Sequence, residues 1–218
     1  MTTEEQAQIP DDGSKQLTDL ILKGDHENAA RVAVEIVTKS GSANDVVDTI
    51  SDAMNIVSDL HEMERYSVAE VEKCENAAEK SLAAVRPKIK IDHRKIKGRV
   101  MVSSLVEDPH SFDRTLLLTM LEIGGFTAID GGTDLSPEQV AGKVKQHKPD
   151  ILAVPLITET AARRLVNANT LIEDTGGRIT IIAYGRGAQS LSGQKFTTVE
   201  TDSLSAFSKI AEILISKA

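Results

Sequence analysis

The chain has 218 residues, of which 40% are apolar and 3% aromatic, and it carries a net charge of −8 with no tryptophan. That balance places it among soluble folded chains and excludes disordered and collagen-like ones. It also argues against nucleic acid, because phosphates need neutralising cations and unpaired bases need aromatic platforms. A single cysteine, Cys74, rules out an internal disulfide and any thiolate cluster for zinc or iron–sulfur, and reads as a small helix residue. No uncharged apolar run approaches the roughly 18–20 residues of a membrane span. The opening Met1-Thr2-Thr3-Glu4-Glu5 is acidic where a signal peptide would be basic, so a cytoplasmic location with no membrane partner is expected.

The charge is unevenly spread: residues 1–90 hold 18 acids and 10 bases, and the remainder holds 15 of each. Such asymmetry predicts two domains with different surfaces. After a flexible N-terminus, 1–14, apolar residues recur at helical spacing. Leu17, Leu20 and Ile21 stop at Gly24-Asp25; Ala29, Val32, Ala33, Ile36 and Val37 stop at Gly41. A third stripe runs from Asn44, read as an N-cap, through Val46, Val47, Ile50, Met54, Val57 and Leu60. A fourth carries Val68, Val71, Ala77, Ala78, Leu82 and Val85. Four helices with short connections predict an antiparallel four-helix bundle over 15–86.

The charged segment 87–98, with Pro87 and Gly98 at its ends, reads as a linker. Beyond it the pattern becomes strand and helix in alternation. Strands are predicted over 99–105, 126–130, 151–154, 179–183 and 196–199, and helices over 115–123, from Ser136-Pro137-Glu138 to Lys148, and over 160–174 and 203–217. That order predicts an α/β domain over 99–218: a flavodoxin-like, Rossmann-type, doubly wound parallel sheet of five strands in the order 2-1-3-4-5. Such sheets bind ligands beyond the carboxyl ends of their strands. The loops following strands one, three and four, 106–113, 155–159 and 184–189, are therefore the candidate site.

The first of these loops contains Asp108-Pro109-His110. An imidazole ligates a metal through a neutral nitrogen, and a carboxylate on its other nitrogen fixes the tautomer and raises its basicity. A histidine beside an acid on a surface loop is equally compatible with plain solvation. The remaining histidines, His26, His61, His93 and His147, are scattered, so a site of several histidines is not expected. The pattern suggests instead a metal that brings most of its own ligands. Met54, Val57, Leu60 and Met63 fit the core of a bundle as well as they fit a cofactor cap. Gly185-Arg186-Gly187 lacks the Lys-Ser/Thr continuation of a phosphate loop.

With a helical bundle, a linker and then Asp-x-His after the first strand of a flavodoxin-like domain, the chain resembles the corrinoid (cobalamin, vitamin B12) proteins of methyltransferase systems. Their D-x-H-x-x-G loop stands here as Asp108-Pro109-His110-Ser111-Phe112-Asp113. The segments 116–126, 130–138 and 147–151 continue the likeness, as do Ala53-Met54-Asn55-Ile56-Val57 and 64–70 in the bundle. The resemblance implies bound cobalamin in a base-off, His-on state: His110 would ligate cobalt, with Asp108 hydrogen-bonded behind it. Ser104, Pro109, Ser111, Phe112, Asp113, Pro155, Leu156, Thr158, Tyr184 and Gly185 would line the cofactor, its nucleotide tail running between loops three and four, and Met54 and Val57 would cover the ring. Asp113, Pro155-Leu156-Ile157 and Tyr184-Gly185 depart from the family's glycine, S-x-L and paired glycines. The implied function is that of a shuttle that accepts a methyl group on cob(I)alamin from one methyltransferase and presents methyl-cob(III)alamin to another, as in demethylation pathways. It would be a subunit rather than a complete enzyme, with no catalytic residue of its own, and its partners would be donor-side and acceptor-side methyltransferases and a reductive activase. A cobalamin-binding sensor or regulator on the same fold, and an interaction module without cofactor, are the alternatives.

Overall fold

The computed structural model describes residues 12–89, 98–108 and 112–216. The chain divides into two compact units, Met1–Ile89 and Lys90–Ala218.

The first unit holds α1 (Asp12–Leu22), α2 (His26–Ser40), α3 (Asn44–Glu62) and α4 (Val68–Val85), followed by a 3-10 turn over Arg86–Lys88. Each α-helix packs against the other three. The predicted stripes are the buried ones: Leu17 and Ile21, then Ala29, Val32 and Ala33, then Val46 and Ile50, then Ala77, Ala78 and Leu82. Sequence punctuation fixes the ends. Gly41 takes a left-handed conformation after α2, and Ser67 with Glu70 forms a reciprocal capping box before α4. Two readings need correction. Asn44 is the first helical residue of α3 and Ala43 its N-cap, without a side-chain bond. Helix α1 begins at Asp12, inside the segment expected to be flexible.

The second unit contains β1 (Arg99–Leu105), α5 (Phe112–Ile123), β2 (Thr127–Leu135), α6 (Pro137–His147), β3 (Ile151–Pro155), α7 (Glu159–Asp174), β4 (Thr180–Tyr184), β5 (Thr197–Glu200) and α8 (Ser203–Ile215). The sheet is all-parallel in the order β2-β1-β3-β4-β5, as the alternation of elements predicts. Period-two alternation sends Val100, Val102, Ile151, Ala153, Ile182 and Tyr184 into one core with α5 and α8. Met101, Leu105, Leu152, Val154, Ile181 and Ala183 enter the other, with α6 and α7. Ser136, Thr158 and Asp202 cap α6, α7 and α8 through their side chains.

Three differences from expectation bear on the site. Helix α5 starts at Phe112, so Phe112 and Asp113 lie in its first turn and not in a loop. Strand β2 runs on to Leu135, with irregular pairing to β1 at its carboxyl half. Residues Arg186–Leu191 form a 3-10 segment where an open loop was expected.

Candidate functional site

Helix α5 follows β1 on one face of the sheet and α7 follows β3 on the other. The chain segments leaving these adjacent strands therefore diverge, and a crevice opens above them. Pro109, His110 and Ser111, which belong to the first of those segments, lie outside the described residues. The geometry on either side of them is defined.

Asp108 sits at the edge of the crevice, 6% exposed, and its Oδ2 accepts a hydrogen bond from the Ile157 amide at 2.8 Å. The carboxylate of loop one is thereby tied to loop three across the switch point. A charge-assisted bond in so buried a place fixes the side chain's direction. The approach to it is held by Glu107, which adopts a left-handed φ of 64°. Its carboxylate pairs with Arg164 of α7 at 2.8 Å, and the same guanidinium donates to the Val106 carbonyl at 2.5 Å. Ser104, the residue before the last of β1, is 1% exposed, and its hydroxyl has no hydrogen-bond partner among the described residues. A buried hydroxyl without a partner is costly and calls for an explanation.

Loop three is short and closely held. Pro155 pairs in register with Tyr184. Leu156 is fully buried; its amide donates to the Tyr184 carbonyl at 2.8 Å and its carbonyl accepts from the Gly187 amide at 2.9 Å. Thr158 is the N-cap of α7, its Oγ1 accepting from the Ala161 amide. Gly185 has φ 97°, and a Cβ there would lie 2.8 Å from the Leu156 carbonyl oxygen. Only glycine meets both conditions.

Tyr184 is fully buried, and its hydroxyl donates to the Asp113 carbonyl at 3.1 Å. Burial, and then the neighbouring Asp113 carboxylate, push its phenol well above the usual range. The Ser203 hydroxyl, at the start of α8, donates to Asp113 Oδ1 at 3.1 Å. Arg114, 9% exposed, forms an ion pair with Asp130 of β2, which also accepts from the Gly132 amide at 2.9 Å. Loop one, loop three, the end of β4 and the first turns of α5 and α8 thus meet at one edge. Met54 and Val57 lie on α3 of the other unit, Met54 partly exposed and Val57 buried. Of their stripe, Met63 is 65% exposed, so helical spacing alone does not decide which members of it are core.

Sequence reading did not find Arg114, Arg164, Ser203 or the Ile157 amide. An isolated arginine or serine carries no local pattern, and all of these act on residues 16 to 90 positions away. The arginine spacing on α7 could have suggested only a solvated face.

The fold and this edge define a class: a helical unit followed by a doubly wound parallel sheet whose strand order reverses between β1 and β3. Residues 14–86 match the model of the B12 binding domain family. The chain is 24% identical over 180 residues to trimethylamine corrinoid protein 2 of Methanosarcina acetivorans, covering 80% of this chain and 82% of that one. The Methanosarcina barkeri monomethylamine corrinoid protein has the same fold, with a TM-score of 0.73 at 18% identity over 91% of this chain and 96% of that one. The methanol:cobalamin methyltransferase complex of Methanosarcina barkeri aligns with a TM-score of 0.55 at 18% identity, covering 98% of this chain and 87% of that one. The helical segment 14–86 thus matches the B12 binding domain family, and the chain as a whole is similar to the corrinoid proteins.

Proposed function

We propose that this chain is a corrinoid carrier that holds cobalamin at the β1–β3 crevice and presents it to separate methyltransferases. The observation that carries the reading is the buried Asp108 carboxylate pinned by the Ile157 amide at the point where the sheet's order reverses. The residues present fit a group with its own macrocycle and metal: a fixed carboxylate two positions from His110, and near the end of β1 a buried Ser104 hydroxyl with no partner among the described residues. A bound corrinoid would supply, through its cobalt, the nucleophile for methyl transfer.

The chain's own residues do the rest. His110 would hold the cobalt in place of the cofactor's benzimidazole, and Pro109, Ser111 and Phe112 are assigned to the cofactor site with it. Asp108 would orient the imidazole of His110 and share a proton with it when the ring nitrogen is not held by a metal. Ser104, Asp113, Pro155, Leu156, Thr158, Tyr184 and Gly185 form the floor and far wall of the site. The methyltransferases and a reductive activase are partners. Among the described residues no helix is long and apolar enough to cross a membrane.

The test is reconstitution of the full chain with hydroxocobalamin, gel filtration, then reduction and exposure to a methyl donor. The expected result is one corrinoid retained per chain, with an absorption spectrum that shifts on reduction and again on methylation. Complete loss of colour on the column refutes the reading.

A further inference from the structure

We infer that Tyr184 plugs the interior of the sheet domain against the nucleotide tail of a corrinoid, so that the chain selects the macrocycle and takes a tail-less corrinoid as well as it takes cobalamin. This rests on the proposed function and deepens it, because it names the part of the cofactor that the site recognises.

A tail entering the domain from the crevice has two routes, and the structure fills both. The first passes between loops three and four. Those loops are stitched by backbone bonds, Leu156 amide to Tyr184 carbonyl at 2.8 Å and Gly187 amide to Leu156 carbonyl at 2.9 Å. They are packed so closely that a Cβ on Gly187 would lie 2.7 Å from the Ile157 carbonyl carbon and the Thr158 nitrogen. A seam that has no room for one added carbon has none for a ribose phosphate.

The second route runs down the sheet face under α5 and α8. The side chains that β1 and β3 contribute near the carboxyl end of that face are small, Ser104 and Ala153, and small side chains leave volume above the sheet. Tyr184 occupies it. The ring belongs to the same buried cluster as Val102, Ala153, Leu117 and Ala206, and its hydroxyl reaches the Asp113 carbonyl in the first turn of α5. Asp113 is in turn held by Ser203 of α8, so one hydrogen-bonded chain links β4, α5 and α8. The phosphate of a tail approaching there would also meet the Asp113 carboxylate, while the neighbouring Arg114 guanidinium is already committed to Asp130. A heteroaromatic base can enter only where the phenol ring now lies.

The experiment is equilibrium dialysis of the full chain against hydroxocobalamin and against aquacobinamide, which lacks the nucleotide tail, with retained corrinoid read by absorption. Native protein should bind the two within about threefold of each other. Tyr184→Gly, which opens the space, should bind cobalamin about tenfold or more tighter than it binds cobinamide, as expected for newly buried apolar area in a prepared slot. Tyr184→Ala, checked for folding by circular dichroism, should move in the same direction. Native protein binding cobalamin at least about tenfold more tightly than cobinamide overturns the inference and leaves the proposed function standing. This arm needs no variant. Native protein that binds neither corrinoid refutes the proposed function and this inference with it.

Discussion

Removing the Asp108 carboxylate should be felt first at a backbone amide 49 positions away. Asp108 Oδ2 accepts from Ile157 N–H at 2.8 Å, with Asp108 6% exposed and the bond partly buried. In Asp108→Ala that N–H keeps its desolvation and loses its acceptor, a cost of about 1–3 kcal/mol. At about 2 kcal/mol, exchange of the Ile157 amide through local opening should accelerate roughly 30-fold. The melting temperature of the full chain should fall by about 5–10 °C if the cost is expressed in global unfolding. Asp108→Asn keeps an acceptor oxygen and loses only the charge, so the cost should drop to about 1 kcal/mol and the exchange effect to roughly fivefold. Hydrogen exchange of the full chain, resolved at Ile157, reads the bond directly. An Ile157 amide as protected in Asp108→Ala as in the native protein refutes the claim that this carboxylate joins loop one to loop three.

The two tyrosines give a second test, and with no tryptophan in the chain an ultraviolet titration reads them cleanly. Burial raises both phenols, Tyr184 far more than Tyr66. A phenol whose folded pKa is raised contributes stability that is complete below the ordinary range near about 10 and is lost as pH rises through the folded value. Tyr184 should ionise only together with loss of the circular dichroism signal, and two ionisations near about 10 in a folded chain would contradict its burial. Asp113→Gly should lower stability by about 1–2 kcal/mol, from the lost Ser203 bond and the glycine in a helical turn; urea denaturation measures it, and a gain in stability would show that the bond is not formed. Gly187→Ala should destabilise the chain by about 1–3 kcal/mol, because its Cβ collides with backbone, and thermal melts indistinguishable from the native protein would argue against the stitched loops.

What the sequence discloses here follows the range of the forces involved. Strand β1 is legible to the residue because Val100, Met101 and Val102 form a continuous apolar run bounded by Gly98, and a strand buried on both faces needs such a run. The topology follows from the alternation of elements alone. Strand β2 extends past its predicted end because its edge position allows Gly131 and Gly132 to continue the pairing across an irregularity with Ser103. The 3-10 segment Arg186–Leu191 has neither a helical nor a strand period to betray it. At the site, Asp108 stood out because an acid two positions from a histidine is a local signal. The predicted strand 179–183 puts Tyr184 in the loop that follows and so at the site, whereas it is the last residue of β4 and lies in the core. Its depth depends on Asp113 and Ser203, which lie 71 positions before it and 19 after, and no local pattern encodes that meeting.

The central claim is that this crevice holds a corrinoid by its metal through His110. Electron paramagnetic resonance of the full chain carrying the cob(II) form of cobinamide tests it most directly, because that cofactor has no benzimidazole to supply an axial nitrogen. The account predicts nitrogen coupling on cobalt in the native protein that disappears in His110→Ala and persists in Asp108→Asn. Bound cob(II) cobinamide with no axial nitrogen coupling in the native protein, or with coupling that survives His110→Ala, would contradict it.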